Sequence, residues 1–131
     1  MLYSLIAGVS LAIWASAQCT RALLQTATDQ YIVAQTAGQS VGVTALSNNV
    51  TYTENEKKVD IKTGILSQPL KIDHSRSILD TTLCATFSEL IVATSPHPYV
   101  IGTRMLFTDH KITTMESIVT DKGDWAFNAT G

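Results

Sequence analysis

Residues 1–18 carry no charged side chain, and this stretch decides which part of the chain folds and in which compartment. The run is apolar over residues 5–14 and then turns to small residues, ending Ala15-Ser16-Ala17. That ending satisfies the rule for signal-peptidase cleavage after Ala17, and the run is too short to span a bilayer. The positive charge that usually precedes such a run rests on the amino terminus alone, because the first Lys or Arg is Arg21. A buried N-terminal helix or an uncleaved anchor is the alternative. On the signal-peptide reading, residues 1–17 are a leader, residues 18–131 form one α+β domain, and the protein is secreted.

What remains after cleavage is enough for one core and not for two. Nine basic residues face eleven acidic ones, and no basic cluster exceeds the pair Lys57-Lys58. This excludes the electrostatic footprint of a nucleic-acid binder. No later apolar run is long enough to cross a membrane. Both cysteines, Cys19 and Cys84, lie in the mature chain. In an oxidising compartment a lone pair is most simply one disulfide, with two free thiols as the alternative. No His, Cys or carboxylate pattern at metal-ligand spacing is present, and no motif calls for a cofactor. Asn49-Val-Thr51 and Asn128-Ala-Thr130 are glycosylation sequons, which fit surface positions on a secreted chain.

Thr20 caps a helix running to about Thr36, with Leu23, Ala27, Tyr31 and Ala34 on one stripe and Gly38 as its left-handed stop. Residues 40–47 read as a short helix or turn. Residues 50–54 form a strand, 55–58 its polar turn, and 59–66 a strand or a strand leading into a short helix. Leu70, Ile72 and His74 alternate with polar residues as a half-buried strand. Residues 81–94 read as one long strand, broken by Ser95-Pro-His-Pro98. Residues 99–108 and 111–120 flank Asp109-His110 as a two-residue hairpin. Residues 125–127 begin a further strand.

No strong catalytic motif occurs, so candidate chemistry rests on which residues share a face. With a direct hairpin register, Glu116 stands across from Thr103, among Ile101, Met105, Ile112 and Ile118. A carboxylate there is costly unless partnered or solvated, and desolvation would lift its pKa toward the range of a general acid or base. The alternative is that this face meets solvent, or that Glu116 is paired with a lysine; a one-residue slip reverses the face. Tyr99 and Thr103 are the candidate orienting groups. His97 and His110 read as loop residues and His74 as a satisfied, partly buried histidine. The charge run 54–58 reads as a solvated turn.

Cys19-Thr-Arg-Ala, the segment Asn49-Val-Thr-Tyr-Thr-Glu-Asn55, Leu79-Asp-Thr-Thr82 before Cys84-Ala-Thr, His97-Pro-Tyr-Val-Ile-Gly102 and Asp121-Lys-Gly-Asp-Trp125 resemble a group of secreted fungal proteins with a domain of unknown function. The resemblance covers nearly the whole mature chain and brings no reaction with it. More distantly, the layout is similar to the cone-shaped fold of nuclear transport factor two, ketosteroid isomerase and SnoaL-like cyclases. That likeness implies an N-terminal helix packed on a curved, mostly antiparallel sheet around an apolar pocket. Because members of the secreted group often continue past the Asp-Trp segment, the end at Gly131 reads as an incomplete gene product or one half of a longer protein. In that case Cys19 or Cys84 pairs with a downstream cysteine.

Two functions are therefore expected as alternatives. One is a secreted pocket protein that binds a small apolar metabolite and isomerises, cyclises or dehydrates it without a cofactor, through Glu116, Tyr99 and Thr103. The other is a non-catalytic secreted interaction or structural protein. An open apolar cavity containing Glu116 favours the first; a packed interior with Glu116 in water favours the second.

Overall fold

The computed structural model describes residues 18–94, 96–124 and 130. The leader, the strand expected at 125–127 and the Asn128 sequon lie outside the described residues.

Helix α1 spans Arg21–Ala37. Its start is local chemistry: the Thr20 hydroxyl accepts the Leu23 N–H at 3.1 Å. Its end is Gly38 at φ 68°, with the N–H of Gly38 on Gln35 O and that of Gln39 on Ala34 O. A side chain at position 38 is also excluded by space, because a Cβ would stand 2.6 Å from the Pro69 nitrogen. The buried face is Leu24, Ala27, Thr28, Tyr31, Ala34 and Gln35. Leu23 from the expected stripe is only half-buried. Gln35 is fully enclosed and its amide donates to the carbonyls of Ile65 and Gln68, clamping the 65–68 turn to the helix.

After a short 3-10 turn (Ser40–Gly42) come strands β1 (Leu46–Glu54) and β2 (Lys57–Lys58) and a second 3-10 turn (Ile65–Ser67). Four further strands follow: β3 (His74–Asp80), β4 (Ala85–Val92), β5 (Tyr99–Thr108) and β6 (Lys111–Asp121). They form one six-stranded sheet in the order β2-β1-β6-β5-β4-β3. β1 runs parallel to β6 and every other neighbouring pair is antiparallel. The fold is α+β, one helix on a mixed, open sheet. The apolar core between them includes Leu24, Tyr31, Leu66, Leu90, Ile101, Met105, Ile112 and Met115. A disulfide joins Cys19, just ahead of the helix, to Cys84 at the β3–β4 turn.

Three strand expectations need correction. Residues 59–66 hold no strand: they run through turns into the 3-10 turn at Ile65–Ser67. Residues 70–73 are not strand: the Leu70 N–H donates to Gln35 O, and the Asp73 carboxylate takes the N–H groups of Ala93 and Thr94. His74 opens β3 and is exposed rather than half-buried. Nor do residues 81–94 form one strand. Residues 81–84 are the turn between β3 and β4, built by Asp80 Oδ1 accepting from the N–H groups of Thr82 and Leu83.

The β5–β6 turn is the two-residue hairpin expected at Asp109-His110, with φ 49° and 68°. The register is not direct throughout. Thr108 faces Lys111 and Phe107 faces Ile112, but Leu106 then faces Thr114. Thr113 is the extra residue of a β-bulge, and it reverses the faces of everything after it in β6.

Candidate functional site

The bulge decides where Glu116 stands. With Thr113 inserted, Glu116 lies opposite Arg104, and Ser117 takes the place opposite Thr103. Arg104 Nε and Nη2 both donate to Glu116 Oε2, at 2.9 and 2.5 Å, and the side chains are 54% and 40% exposed. Glu116 is therefore on the sheet face away from the helix, in an ion pair, and not in an apolar pocket facing Thr103. Thr103 and Tyr99 are buried on the helix side. The Tyr99 hydroxyl donates to Gln68 Oε1 at 3.4 Å, and burial pushes its pKa up. The fold does not bring the three residues together.

A different polar array occupies the helix side of the sheet. Glu54, Ser117, Thr103, Ser88 and Ser77 are successive cross-strand partners on β1, β6, β5, β4 and β3. Tyr31 Oη shares a 2.7 Å hydrogen bond with Thr103 Oγ1, which shares one of 2.8 Å with Ser117 Oγ. Ser77 and Ser88 share another at 2.8 Å. At the β1 end, Glu54 Oε2 accepts from Tyr52 Oη at 2.7 Å and from the Ile65 N–H at 2.6 Å. Burial is the main cause raising the pKa of both phenols; the bond to Thr103 lowers Tyr31 in part, while the Glu54 carboxylate raises Tyr52 further. Tyr31, Ser88, Thr103 and Ser117 are at most 2% exposed, so these hydroxyls satisfy one another and not a substrate.

The row was hidden in the sequence. Tyr52 and Glu54 share a face by the period of two, yet Glu54 sits in a charged run that reads as solvated. Ser77, Ser88 and Ser117 carry no signal of their own, because their burial follows from the pairing of distant strands.

Among the described residues, no element covers the other face of the sheet. Phe87 is 44% exposed, Ile118 50% and Ile78 64%. Between Phe87 and Ile118 lies Gly102, and its missing side chain lets the Phe87 ring rest on the strand; a Cβ there would stand 3.1 Å from Phe87 Cζ. A trough of about 520 Å³ runs past these residues to Arg104, Glu116, Glu56 and Thr53. A shallower depression of about 250 Å³ shares Phe87, Gly102 and Ile118 and extends to Val100 and Thr120. The trough has an apolar floor with an ion pair along one side.

The histidines do not converge. His74 is exposed, His97 lies 3.5 Å from Asp121 with its ring 4.4 Å from that of Tyr99, and His110 Nε2 is 3.2 Å from Gln18 O. Among the described residues no group of three His, Cys, Asp or Glu could hold a metal ion, and no helix is long and apolar enough to cross a membrane. Asn49 is exposed on β1, as a glycan acceptor requires. No protein-family model matches this chain, and no curated protein matches it.

Proposed function

We propose that this chain is a secreted, non-catalytic binding protein whose ligand is a small, largely apolar molecule with one polar group, held on the outer face of the sheet. The observation that carries this reading is the contrast between the two faces. The helix side is filled by packed side chains and by the Tyr31, Thr103 and Ser117 hydroxyls bonded to one another. The outer side offers Phe87 and Ile118 flanking Gly102, beside Arg104, Glu116 and Glu56. Secretion is supported by the leader-like N-terminus, the disulfide and the resemblance to secreted fungal proteins. On this reading the domain is a filled relative of the cone-shaped fold, with its binding function moved to the opposite face. Glu116 serves as a partner of Arg104 and of the ligand's polar group, not as a proton-handling residue.

The test uses protein from culture medium and 2-naphthol, an uncharged, fluorescent apolar molecule whose one hydroxyl can accept from Arg104 and donate to Glu116. Saturable binding is expected for the wild type, and its loss in Gly102→Val, whose side chain collides with the Phe87 ring and displaces it from the trough. Near-ultraviolet circular dichroism confirms that the variant keeps its native core. Absence of binding to the wild type, or equal binding to a folded Gly102→Val protein, overturns the proposal.

A further inference from the structure

The two edges of the sheet are built differently. The β2 edge is blunted: β2 is two residues long, both are exposed lysines, and β1 beside it shifts register between Leu46 and Thr51. These are the devices that keep a sheet edge from pairing with another chain. The β3 edge has none of them. It is seven residues long, contains no proline, and pairs with β4 in one unbroken register from His74↔Ile91 to Asp80↔Ala85. Of its two full charges, Arg76 lies 3.4 Å from Glu89 of its own sheet, and Asp80 ends the strand with Oδ1 accepting from the N–H groups of Thr82 and Leu83. Ile78 is 64% exposed on it.

The sequence of β3 is also complementary to itself. If a second copy runs antiparallel with Ser77 opposite Ser77, each pair of partners has indices summing to twice that position. His74 then meets Asp80 of the second copy, Ser75 meets Leu79, and Arg76 meets Ile78. His74, Arg76, Ile78 and Asp80 lie on the outer face, since they pair with Ile91, Glu89, Phe87 and Ala85, whereas Ser77 bonds to Ser88 on the helix side. At both ends of the join a basic or hydrogen-bond-donating ring meets a carboxylate. In the middle the two Ile78 side chains become diagonal neighbours, about 7–8 Å apart between strands, and continue the apolar surface of Phe87.

We propose that β3 pairs with β3 of a second copy of this chain, joining two six-stranded sheets edge to edge about a twofold axis. The partner is another copy and not an unrelated strand because the charge order of β3 matches its own reverse. The join buries little surface, at the low end of the range for protein interfaces (below about 1,200 Å²), so the dimer is weak and concentration-dependent. It sets the apolar troughs of the two copies side by side on one continuous face.

Sedimentation equilibrium over a concentration series tests this. The wild type should dimerise, and His74→Asp, which sets carboxylate against carboxylate at both ends, should weaken the dimer by about tenfold or more. His74→Lys should retain it. Ile78→Lys should abolish it, because a lysine on the edge is a known guard against pairing. His74 and Ile78 are exposed, so the variants keep the fold, and circular dichroism checks that they do. A wild type that stays monomeric at about 100 µM, or a dimer unmoved by both His74→Asp and Ile78→Lys, overturns the proposal. A dimer lost in Phe87→Ser and kept in His74→Asp also overturns it, since that places the interface on the sheet face.

Discussion

Thr103 is the shared partner in the buried hydroxyl chain, and replacing it with valine tests the account of the core. Thr103→Val keeps the shape and removes only the hydroxyl. Two bonds are lost at once, the 2.7 Å bond with Tyr31 Oη and the 2.8 Å bond with Ser117 Oγ. Ser117 retains a hydrogen-bonding neighbour in Tyr52. Tyr31 Oη, in a residue 1% exposed, is left without the partner the structure gives it. Two net hydrogen bonds are worth about 1 kcal/mol each, and stranding a buried phenol adds about 1–2 kcal/mol, so the variant should lose roughly 3–4 kcal/mol. Against a total of about 5–15 kcal/mol for a domain, that is a large fraction.

The contrast with Tyr31→Phe sharpens the test. That change removes one bond and leaves Thr103 bonded to Ser117, so it should cost only about 1 kcal/mol. In the double variant no phenol remains to be stranded, and the combined loss should fall short of the sum of the single losses by about 1 kcal/mol or more. Urea unfolding with the disulfide kept oxidised measures all three, with the slope expected to stay constant. A Thr103→Val protein within about 0.5 kcal/mol of the wild type, or strictly additive losses, would refute the argument that these hydroxyls are dry and mutually dependent.

Removing both cysteines (Cys19→Ala with Cys84→Ala) opens a crosslink spanning 65 residues and should lower stability by about 4 kcal/mol on the chain-entropy estimate, read by the same unfolding measurement. The N–H groups of Ala93 and Thr94 hold the Asp73 carboxyl below its ordinary pKa, so its contribution to stability is present above the unfolded value and is lost as pH falls through the folded one. Asp73→Asn should therefore flatten the acid limb of the stability profile, and an NMR titration should find Asp73 ionising below an unperturbed aspartate; an ordinary or raised value contradicts the geometry.

The helix was readable because its signals are local. Thr20 and Gly38 cap it with their own atoms and immediate neighbours, and no distant strand is needed to place them. The Asp109-His110 turn was readable for the same reason. The β3–β4 turn was not, because its signal is a single carboxylate, Asp80, bonding to the backbone two and three residues ahead, with no glycine or proline to mark it. Glu54 was hidden by a different cause. Its enclosure depends on the parallel pairing of β1 with β6 and on the Ile65 turn closing over it, and no pattern within residues 50–58 encodes either.

The Glu116 placement turned on one residue, Thr113, and the physics that selects the bulge can be stated. Two parities are open to the second half of β6. The direct register turns Thr114, Glu116 and Ile118 toward the helix; the bulged one turns Met115, Ser117 and Val119 inward. The apolar content of the two sets is similar, since each offers one aliphatic residue at positions 118–119, and Met115 against Thr114 favours the bulge. The decisive difference is the charge. The direct register would bury a carboxylate opposite Thr103 with Tyr31 overhead and no cation on that face of β5, a cost of several kcal/mol. The bulge gives up one ladder position, places Glu116 against Arg104, and delivers Ser117 to the hydroxyl chain that Thr103 and Tyr31 require. An isolated acid on an apolar strand face was thus evidence about register before it was evidence about catalysis. The cheaper solution for the chain was to turn the acid outward, and the surface on which the proposed ligand rests is a consequence of that turn.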